Sequence, residues 1–258
     1  MTPKDLSQIK SNSSIRHSTV EDIKFIHSWL EEQSYRQISG SFLCNWNLTE
    51  LSHEEGGLLV YIDESIGKPI AYQWGGLVRP GIIEVRHDMR GKGIGRQLVE
   101  QRVNEAYNND ECLLFIQCKP STSIPFWSHM GFTLLEQNNG DNYAFRILEK
   151  THQLPVNAKL VSVAIRFYPE SKVWCDTTQP IELATPQAVL TTDNIAHLKN
   201  RVYFFKRIYP DIGDPVVEII VDGKVLICDK AKYVEASQFG VCRCTNGFYI
   251  DRLLLKSL

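Results

Sequence analysis

Residues 87–98, HDMRGKGIGRQL, combine three glycines with several basic side chains directly after an apolar, strand-like run. The glycines stand where a helix is expected to begin, and the first turn of a helix presents backbone N–H groups that have no partner within it. Gly93 and Gly95 have no side chain that would keep a ligand away from these groups. The helix dipole and the basic side chains add positive potential. The segment is therefore predicted to bind an anion such as a pyrophosphate.

Two other phosphate-binding motifs do not fit this segment. A Walker A loop needs Gly-Lys-Ser/Thr after its second glycine, but Gly95 is followed by Arg96 and Gln97. A Rossmann fingerprint needs G-x-G-x-x-G at the first strand, whereas the glycines here are spaced G-x-G-x-G deep inside the chain. A solvated basic turn is the other interpretation, but three glycines at this spacing favour an anion site.

The segment from Arg90 to Gly95 matches the motif R/Q-x-x-G-x-G/A at every fixed position. This is the motif of the GNAT family of N-acetyltransferases, which the segment therefore resembles. The run IEVRHDMRGKGIG resembles the strand and turn that this family places before its helix, and FWSHMGF at 126–132 resembles a later helix end. IRHSTVEDI resembles the usual opening of the family fold, so the likeness covers about residues 14–150.

The resemblance implies that the glycine turn holds the pyrophosphate of acetyl-CoA through backbone amides. It also implies that the preceding strand splays from its neighbour, binds the pantetheine arm through its backbone, and leaves the thioester near the split between 81–87 and 112–118. An acceptor amine would attack the thioester there, with the backbone N–H near Val85 as a donor to the oxyanion. By this resemblance the residues that bind acetyl-CoA are Glu84, Val85, Arg86, Arg90, Gly91, Lys92, Gly93, Ile94, Gly95, Arg96 and Trp127.

The general base must take a proton from an ammonium acceptor near neutral pH, and several residues are candidates. Glu84 is the catalytic candidate, because an acid in the middle of an apolar strand is expected to have a pKa raised by burial. Its alternatives are an ion pair with Arg86 or Arg79, or a side chain that reaches the strand edge. Gln117 stands where some relatives have a glutamate and can orient the acceptor, and His87 is either a base or a solvent-facing turn residue.

Trp127 stands where many family members have the tyrosine that protonates the leaving thiolate. An indole N–H is not a useful acid, so Trp127 is expected to be a packed aromatic side chain beside the CoA arm. The leading functional hypothesis is an N-acetyltransferase that moves an acetyl group from acetyl-CoA to an amine on a small molecule or a protein. The alternative is a weakly active or inactive acyl-CoA sensor that signals through the C-terminal region.

The composition is that of an ordinary globular protein: 43% of the 258 residues are hydrophobic and 22% are charged, with a net charge of −2. This charge argues against a general nucleic-acid-binding protein, and no apolar run approaches the roughly 20 residues needed to cross a membrane. Seven scattered cysteines predict no disulfide framework and a cytoplasmic location. Cys242 and Cys244 form a C-x-C pair without a second ligand pair nearby, so they are interpreted as strand residues and no metal site is predicted.

The predicted elements up to about residue 150 follow the order β-α-β-β-β-α-β-α-β-β, an α/β class with a GNAT-like central mixed sheet flanked by helices. Ser18 or Thr19 is expected to cap the first helix, at 20–33. The polar, proline-containing stretch after residue 150 predicts a boundary between a domain at 1–150 and a smaller α+β domain at 151–258.

The C-terminal region carries no catalytic motif that we identify. Thr192 or Asp193 is expected to cap a helix that ends before Pro210, and alternating apolar residues around Asp222-Gly223 predict a hairpin. Substrate recognition and homodimerisation are the roles considered for this domain. Four aromatic residues before Pro210 could belong to the core, a dimer interface or a peptide contact, with the core as the default interpretation, namely Tyr203, Phe204, Phe205 and Tyr209.

Overall fold

The structure of the protein is a computed structural model. It describes residues 14–77, 81–136, 141–209 and 212–255. The chain divides into two compact units. The first contains the described residues up to Asp110 and Leu114–Arg146, and the second contains Glu111–Leu113 and the described residues from Ile147 onward. The class is the expected mixed α/β, and the C-terminal region is rich in sheet.

Strands and helices up to residue 147 follow the predicted order, with one additional helix in the segment that the sequence left unassigned. In chain order they are β1 Ile15–His17, α1 Val20–Tyr35, α2 Trp46–Glu54, β2 Leu59–Asp63, β3 Lys68–Trp74, β4 Ile82–Val85, α3 Ile94–Asn108, β5 Leu113–Gln117, α4 Ile124–His129, β6 Thr133–Glu136 and β7 Asn142–Ile147. The first four strands form an antiparallel sheet in the order β1-β2-β3-β4, and the others form a sheet in the order β5-β7-β6. The additional helix is α2.

Helices α1 and α3 cover opposite faces of the first sheet. One apolar cluster joins α1 to β2, β3 and β4 through buried side chains such as Leu30, Tyr72 and Ile82. A second cluster joins α3 to β3 through Ile70 and Leu98. Because successive side chains of a strand point to opposite faces, the residues of β4 alternate between the α1 face and the α3 face.

Helix α1 begins at a capping box, and the predicted cap at Thr19 is confirmed. The Asp22 amide donates to Thr19 Oγ1 at 3.3 Å, and the Thr19 amide donates to Asp22 Oδ2 at 2.8 Å. The Arg16 guanidinium also binds this carboxylate. Burial acts to raise the pKa of Asp22, but the hydrogen bonds from Arg16 and Thr19 outweigh it and hold the pKa below its ordinary value of 3.8.

The second unit is built from two antiparallel sheets. Its elements are β8 Lys159–Val161, β9 Val163–Tyr168, β10 Glu182–Ala184, β11 Ala188–Leu190, β12 Ile195–Phe205, β13 Val216–Val221, β14 Lys224–Lys230, α5 Val234–Gln238, β15 Cys242–Cys244 and β16 Gly247–Leu254. The strand orders are β10-β9-β13-β14 and β15-β16-β12-β11-β8. Residues from both sheets share one apolar core, in which Phe167 stacks on Phe204 with ring centroids 4.7 Å apart.

The prediction of a helix that begins at Thr192 or Asp193 is wrong, because these residues precede strand β12. The first residues of β12 alternate in burial, and β11 and β16 pair with the strand. Phe204 and Phe205 are core residues, as expected. The hairpin between β13 and β14 is confirmed: Asp222 and Gly223 both have positive φ, as its tight turn requires.

Among the described residues, every helix is too short or too polar to cross a membrane.

We expect Thr19→Ala to lower the free energy of unfolding by about 0.5–2 kcal/mol, because the change removes the hydroxyl that caps α1. Urea denaturation measures the difference. Thr122→Ala, at an exposed position, is the matched control and is expected to leave stability unchanged. Equal stability of the two variants would show that the cap contributes nothing.

Candidate functional site

The chain turns sharply between β4 and α3, and glycines make this turn. Gly91 and Gly93 have φ angles of 79° and 80°, a region that residues with side chains rarely adopt. Gly93 is also the N-cap of α3. A Cβ added at either position would meet no atom of the described chain within 4 Å. The turn therefore needs glycine for its backbone conformation, and the space beside both residues is open.

The first turn of α3 presents a run of backbone N–H groups. The Gln97 amide donates to the Gly93 carbonyl at 3.2 Å and so begins the helical hydrogen bonds. The amides of 93–96 come before it, and the first N–H groups of an α-helix have no carbonyl partner within the helix. At Gly95 a methyl group would meet its neighbours at an ordinary 3.6 Å, in agreement with a motif that allows alanine there. Together with the helix dipole, this run of amides is suited to an anion.

Basic side chains surround the turn, and two of them form ion pairs. Arg96 is 63% exposed and pairs with Glu100, one helical turn further on, at 2.8 Å. Arg86 pairs with Asp88 at 2.7 Å. Lys92 is exposed. These side chains give the turn a positive surface, and an exposed ion pair such as that of Arg96 costs little to rearrange around an incoming anion.

Arg90 contacts the backbone of its own domain. Its Nε donates to the Val85 carbonyl at 3.0 Å and its Nη1 donates to the Ser39 carbonyl at 3.3 Å. Its backbone amide donates to His87 at 3.4 Å. The guanidinium therefore holds the end of β4 against the segment that follows α1. Arg90 thus stabilises the position of the turn through backbone contacts.

Strands β4 and β5 belong to different sheets, so the backbone of β4 has one open side within the described chain. The Arg86 amide donates to the Ile70 carbonyl at 2.9 Å, toward β3. Peptide groups alternate in direction along an antiparallel strand, so those of Ile83 and Val85 point away from β3. Of the predicted backbone positions, Val85 therefore lies on the open side, whereas Glu84 and Arg86 turn their amides toward β3. Ile83 shares the open side and lies one position before the backbone positions predicted by the resemblance.

The Glu84 side chain lies on the α1 face and is 2% exposed. Gln33 Nε2 donates to its Oε1 at 3.2 Å, and the Phe42 amide and the Tyr72 hydroxyl donate to its Oε2 at 2.9 and 3.0 Å. Burial raises the pKa of Glu84 above its ordinary value of 4.5, and these hydrogen bonds oppose the shift without cancelling it. Arg86, one partner considered for Glu84, pairs with Asp88 instead. The other, Arg79, lies outside the described residues.

Gln33 is a site residue that the sequence analysis missed. It is 1% exposed, and its Oε1 accepts from the His87 amide at 2.8 Å. A backbone N–H can only donate, so the amide group of Gln33 must turn its oxygen toward His87 and its nitrogen toward Glu84. His87 Nδ1 lies 3.2 Å from the same oxygen and must therefore carry a hydrogen, which leaves Nε2 as the acceptor of the neutral ring. A glutamine in the apolar stripe of α1, one turn after Leu30, was the available signal.

Trp127 packs in an aromatic cluster on α4. Its ring makes edge contacts with Phe126 and Phe132, at centroid distances of 5.0 and 5.2 Å. The Phe126 ring also lies beside the Cα of Gly95, so α4 reaches the first turn of α3. The interpretation of Trp127 as a packed aromatic residue agrees with these contacts.

Gln117, at the end of β5, is exposed. Its side-chain amide donates to Asp141 at 3.1 Å. Among the described residues, no group of three or more histidine, cysteine or acidic side chains is arranged to hold a metal ion.

The family model of the GNAT acetyltransferases matches residues 18–132. These residues are a GNAT-family acetyltransferase domain. No curated protein matches the chain.

Solved structures similar to this chain include proteins that are described as GNAT-family acetyltransferases and one that is described as an N-acetyltransferase, and each aligns with about half of this chain. A GNAT-family acetyltransferase from Listeria monocytogenes 4b F2365 shares 13% identity over 52% of this chain and 94% of its own, with a TM-score of 0.42. One from Staphylococcus aureus Mu50 shares 12% identity over 52% and 98%, with a TM-score of 0.40. The ribosomal-protein-alanine N-acetyltransferase from Brucella melitensis shares 23% identity over 52% and 99%, with a TM-score of 0.38.

The buried carboxyl of this GNAT domain gives a pH-dependent prediction. A carboxyl whose pKa is higher in the folded state stabilises the fold at low pH, and this contribution is lost as the pH rises through the folded pKa. We therefore expect the unfolding free energy of the wild type, relative to Glu84→Gln, to fall as the pH rises from about 4.5. Urea denaturation at a series of pH values measures the difference.

Glu50→Gln, at an exposed position on α2, is the matched control for the loss of a carboxylate. A stability difference between the wild type and Glu84→Gln that is constant or grows with pH would contradict the prediction.

Proposed function

We propose that the protein is an N-acetyltransferase that transfers the acetyl group of acetyl-CoA to an amine by direct attack within a ternary complex. The observation that carries the proposal is the turn between β4 and α3. There, two glycines with positive φ stand before an α-helix and beside the open side of β4. The GNAT family match over residues 18–132 supports the same class of reaction.

In this proposal the diphosphate of acetyl-CoA binds the amides of 93–96. The positive φ and open surroundings of Gly91 and Gly93 support this role, because a ligand can approach the backbone there without meeting a side chain. Arg96 and Lys92 supply exposed positive charge. Arg90 acts indirectly, since its guanidinium holds the end of β4.

The pantetheine arm is proposed to run along the open side of β4. Its amide groups need donors and acceptors in the spacing of a strand, and the N–H groups of Ile83 and Val85 and the Ile83 carbonyl offer them, whereas the Val85 carbonyl accepts from Arg90. The Val85 N–H is also our candidate donor to the oxyanion that forms when the amine attacks the thioester carbonyl. The C–S bond then breaks, and the CoA thiolate leaves.

Two side chains are candidates for the proton of the ammonium acceptor. Glu84 as the base stays a prediction: its raised pKa suits the role, but it is 2% exposed and both of its oxygens accept hydrogen bonds. The contacts add a positioning role, because Glu84 holds Gln33, and Gln33 orients His87. His87, with Nε2 as its acceptor, is the second candidate for this proton.

An acyl-CoA sensor without turnover is the second candidate function. The observation that favours it is Trp127, which packs against Phe126 and Phe132 where an acid would otherwise stand. The second unit would then receive the signal. Acceptor recognition and homodimerisation by residues 151–258, and a cytoplasmic location, stay predictions.

We expect Gly93→Asp to abolish acetyl-CoA binding, because it places bulk and negative charge beside the diphosphate. Isothermal titration calorimetry measures the affinity. Gly67→Asp is the matched control, since Gly67 also has a positive φ and open surroundings but lies in the turn between β2 and β3. It carries the same backbone strain and the same added charge, and it is expected to bind like the wild type. Equal affinity of the two variants would reject the anion site.

Arg90→Ala is expected to weaken acetyl-CoA binding by about 1–3 kcal/mol, because it removes the charge-assisted hydrogen bond from the Arg90 guanidinium to the Val85 carbonyl, which holds the end of β4 in place for the ligand. The same calorimetry measures the loss. Since Arg90 also braces β4, circular dichroism checks that the variant keeps its fold. Affinity equal to that of the wild type would show that neither the charge of Arg90 nor its hydrogen bonds to the backbone contribute to acetyl-CoA binding.

We expect amine-dependent release of free CoA thiol when acetyl-CoA is offered with a panel of small amines, peptides and proteins. A thiol reagent such as a disulfide dye measures the release. Tight acetyl-CoA binding without turnover on any acceptor, tRNA included, would contradict the enzyme hypothesis and favour the acyl-CoA sensor.

A further inference from the structure

A cavity of about 370 Å³ opens in the second unit, between two strands that belong to different sheets. One wall comes from β10 and the residues that follow it, and the other comes from the second half of β12. The pairing of β11 with β12 covers Ala196 to Leu198, and from Val202 to Phe205 β16 is the strand that pairs with β12 in the described chain. The two sheets therefore part at this point. The gap has the size of a pocket for a small molecule, which is about 300–1,000 Å³ in proteins.

The apolar part of the cavity lining is aromatic and held in place by the core. Tyr209 stacks on Phe204 with ring centroids 5.5 Å apart and an angle of 18° between the rings, and Phe204 in turn stacks on Phe167. Ile208, which is half-buried, lines the cavity beside them. Leu183 lies on the β10 side and is 56% exposed. An apolar ligand that covers Leu183 would remove apolar surface from water, which favours binding.

Two of the described side chains that line the cavity are charged, and one of these charges has no counter-ion. Arg201 is neutralised by Asp251, whose two oxygens accept from its Nε and Nη2 at 2.7 and 2.6 Å. Glu182 accepts from the Tyr209 hydroxyl through Oε1 and forms no ion pair within the described chain. Its Oε2 has no hydrogen-bond partner among the same residues. The cavity therefore carries a net negative charge and an acceptor oxygen that a ligand can use.

Tyr209 orients the Glu182 carboxylate. Burial, followed by the hydrogen bond to Glu182, raises the pKa of the Tyr209 hydroxyl to about 12, so the hydroxyl keeps its proton and remains a donor at neutral pH. The Tyr209 hydroxyl therefore holds Oε1 and leaves Oε2 for a second donor. An aromatic ring next to a carboxylate is suited to an organic ammonium, because the ring face attracts a cation and the carboxylate accepts a charge-assisted hydrogen bond from it.

We propose that this cavity is a binding site for a small primary ammonium ion with an aryl or alkyl body. The ammonium donates to Glu182 Oε2, and its apolar body lies against Tyr209, Ile208 and Leu183. A neutral molecule of the same shape lacks the charge that Glu182 attracts, and an anion is repelled by it. The residues that line the cavity all belong to the second unit, so binding there needs no acetyl transfer by the first.

The test uses the full chain without acetyl-CoA, so that no amine is consumed by acetyl transfer. Calorimetry compares phenethylammonium with phenethyl alcohol, which has a hydroxyl in place of the ammonium, and with hydrocinnamate, which has a carboxylate. We expect the ammonium to bind about tenfold more tightly than the alcohol, the scale of a hydrogen bond to a charged group, and hydrocinnamate not to bind. Glu182→Gln is expected to remove this preference, whereas Glu235→Gln, at an exposed position on α5, keeps it.

Photolabelling locates the bound amine, since an amine could also bind the first unit. A phenethylammonium that carries an azide on its ring is irradiated with the full chain, and mass spectrometry identifies the labelled peptides. We expect label within 182–186 or 200–209, and we expect an excess of phenethylammonium to prevent it.

Label confined to peptides of the first unit would overturn the proposal. So would equal affinities for the ammonium and the alcohol, an unchanged preference in Glu182→Gln, or no saturable binding at millimolar concentrations. Because neither measurement involves acetyl transfer, a first unit that proves inactive would leave these outcomes unchanged.

Discussion

The left-handed backbone at Gly93 is the constraint on which the candidate site depends. Helix α3 follows β4 directly, and a φ of 80° at its N-cap is available at low cost only to glycine. The same absence of a side chain leaves the first amides of the helix accessible. Beside the turn, β4 is not paired with β5 in the described sheets, so the side of its backbone that faces away from β3 has no strand partner there. A ligand with a diphosphate and a peptide-like arm needs both features, adjacent and in this order.

The two faces of β4 carry different parts of the candidate site. Val85 lies toward α3 and the open side of the strand, whereas Glu84 lies toward α1. Burying a carboxyl is costly, and the raised pKa of Glu84 reflects that cost. The three donors around it come from α1, from the segment after α1 and from β3, so one acid joins the elements that surround the α1 face of the strand. An apolar side chain at this position would leave these donors unsatisfied.

What the sequence predicts well depends on how local the determining contacts are. The turn at Gly93 and the cap at Thr19 follow from residues only a few positions apart, and the sequence was sufficient for both. The partners of Glu84 come from positions 12, 42 and 51 residues away, and no local pattern specifies them. Gln33 could have been identified from the sequence, because a polar side chain in an apolar helical stripe needs a hydrogen-bond partner. Strand β12 was misread since its capping-type residues resemble a helix start, and only its pairing with β11 and β16 decides otherwise.

Trp127 in place of the tyrosine acid is a weaker argument against catalysis than the absence of a general base would be. A thiol has a pKa of about 8.5, so a thiolate can leave near neutral pH without first receiving a proton. An alkyl ammonium, with a pKa of about 10, cannot attack a carbonyl until it has lost one. The demanding proton transfer therefore lies on the acceptor side of the reaction. In the proposed function Glu84 and His87, which Gln33 links, are the candidate bases for this transfer, whereas Trp127 has an aromatic packing role.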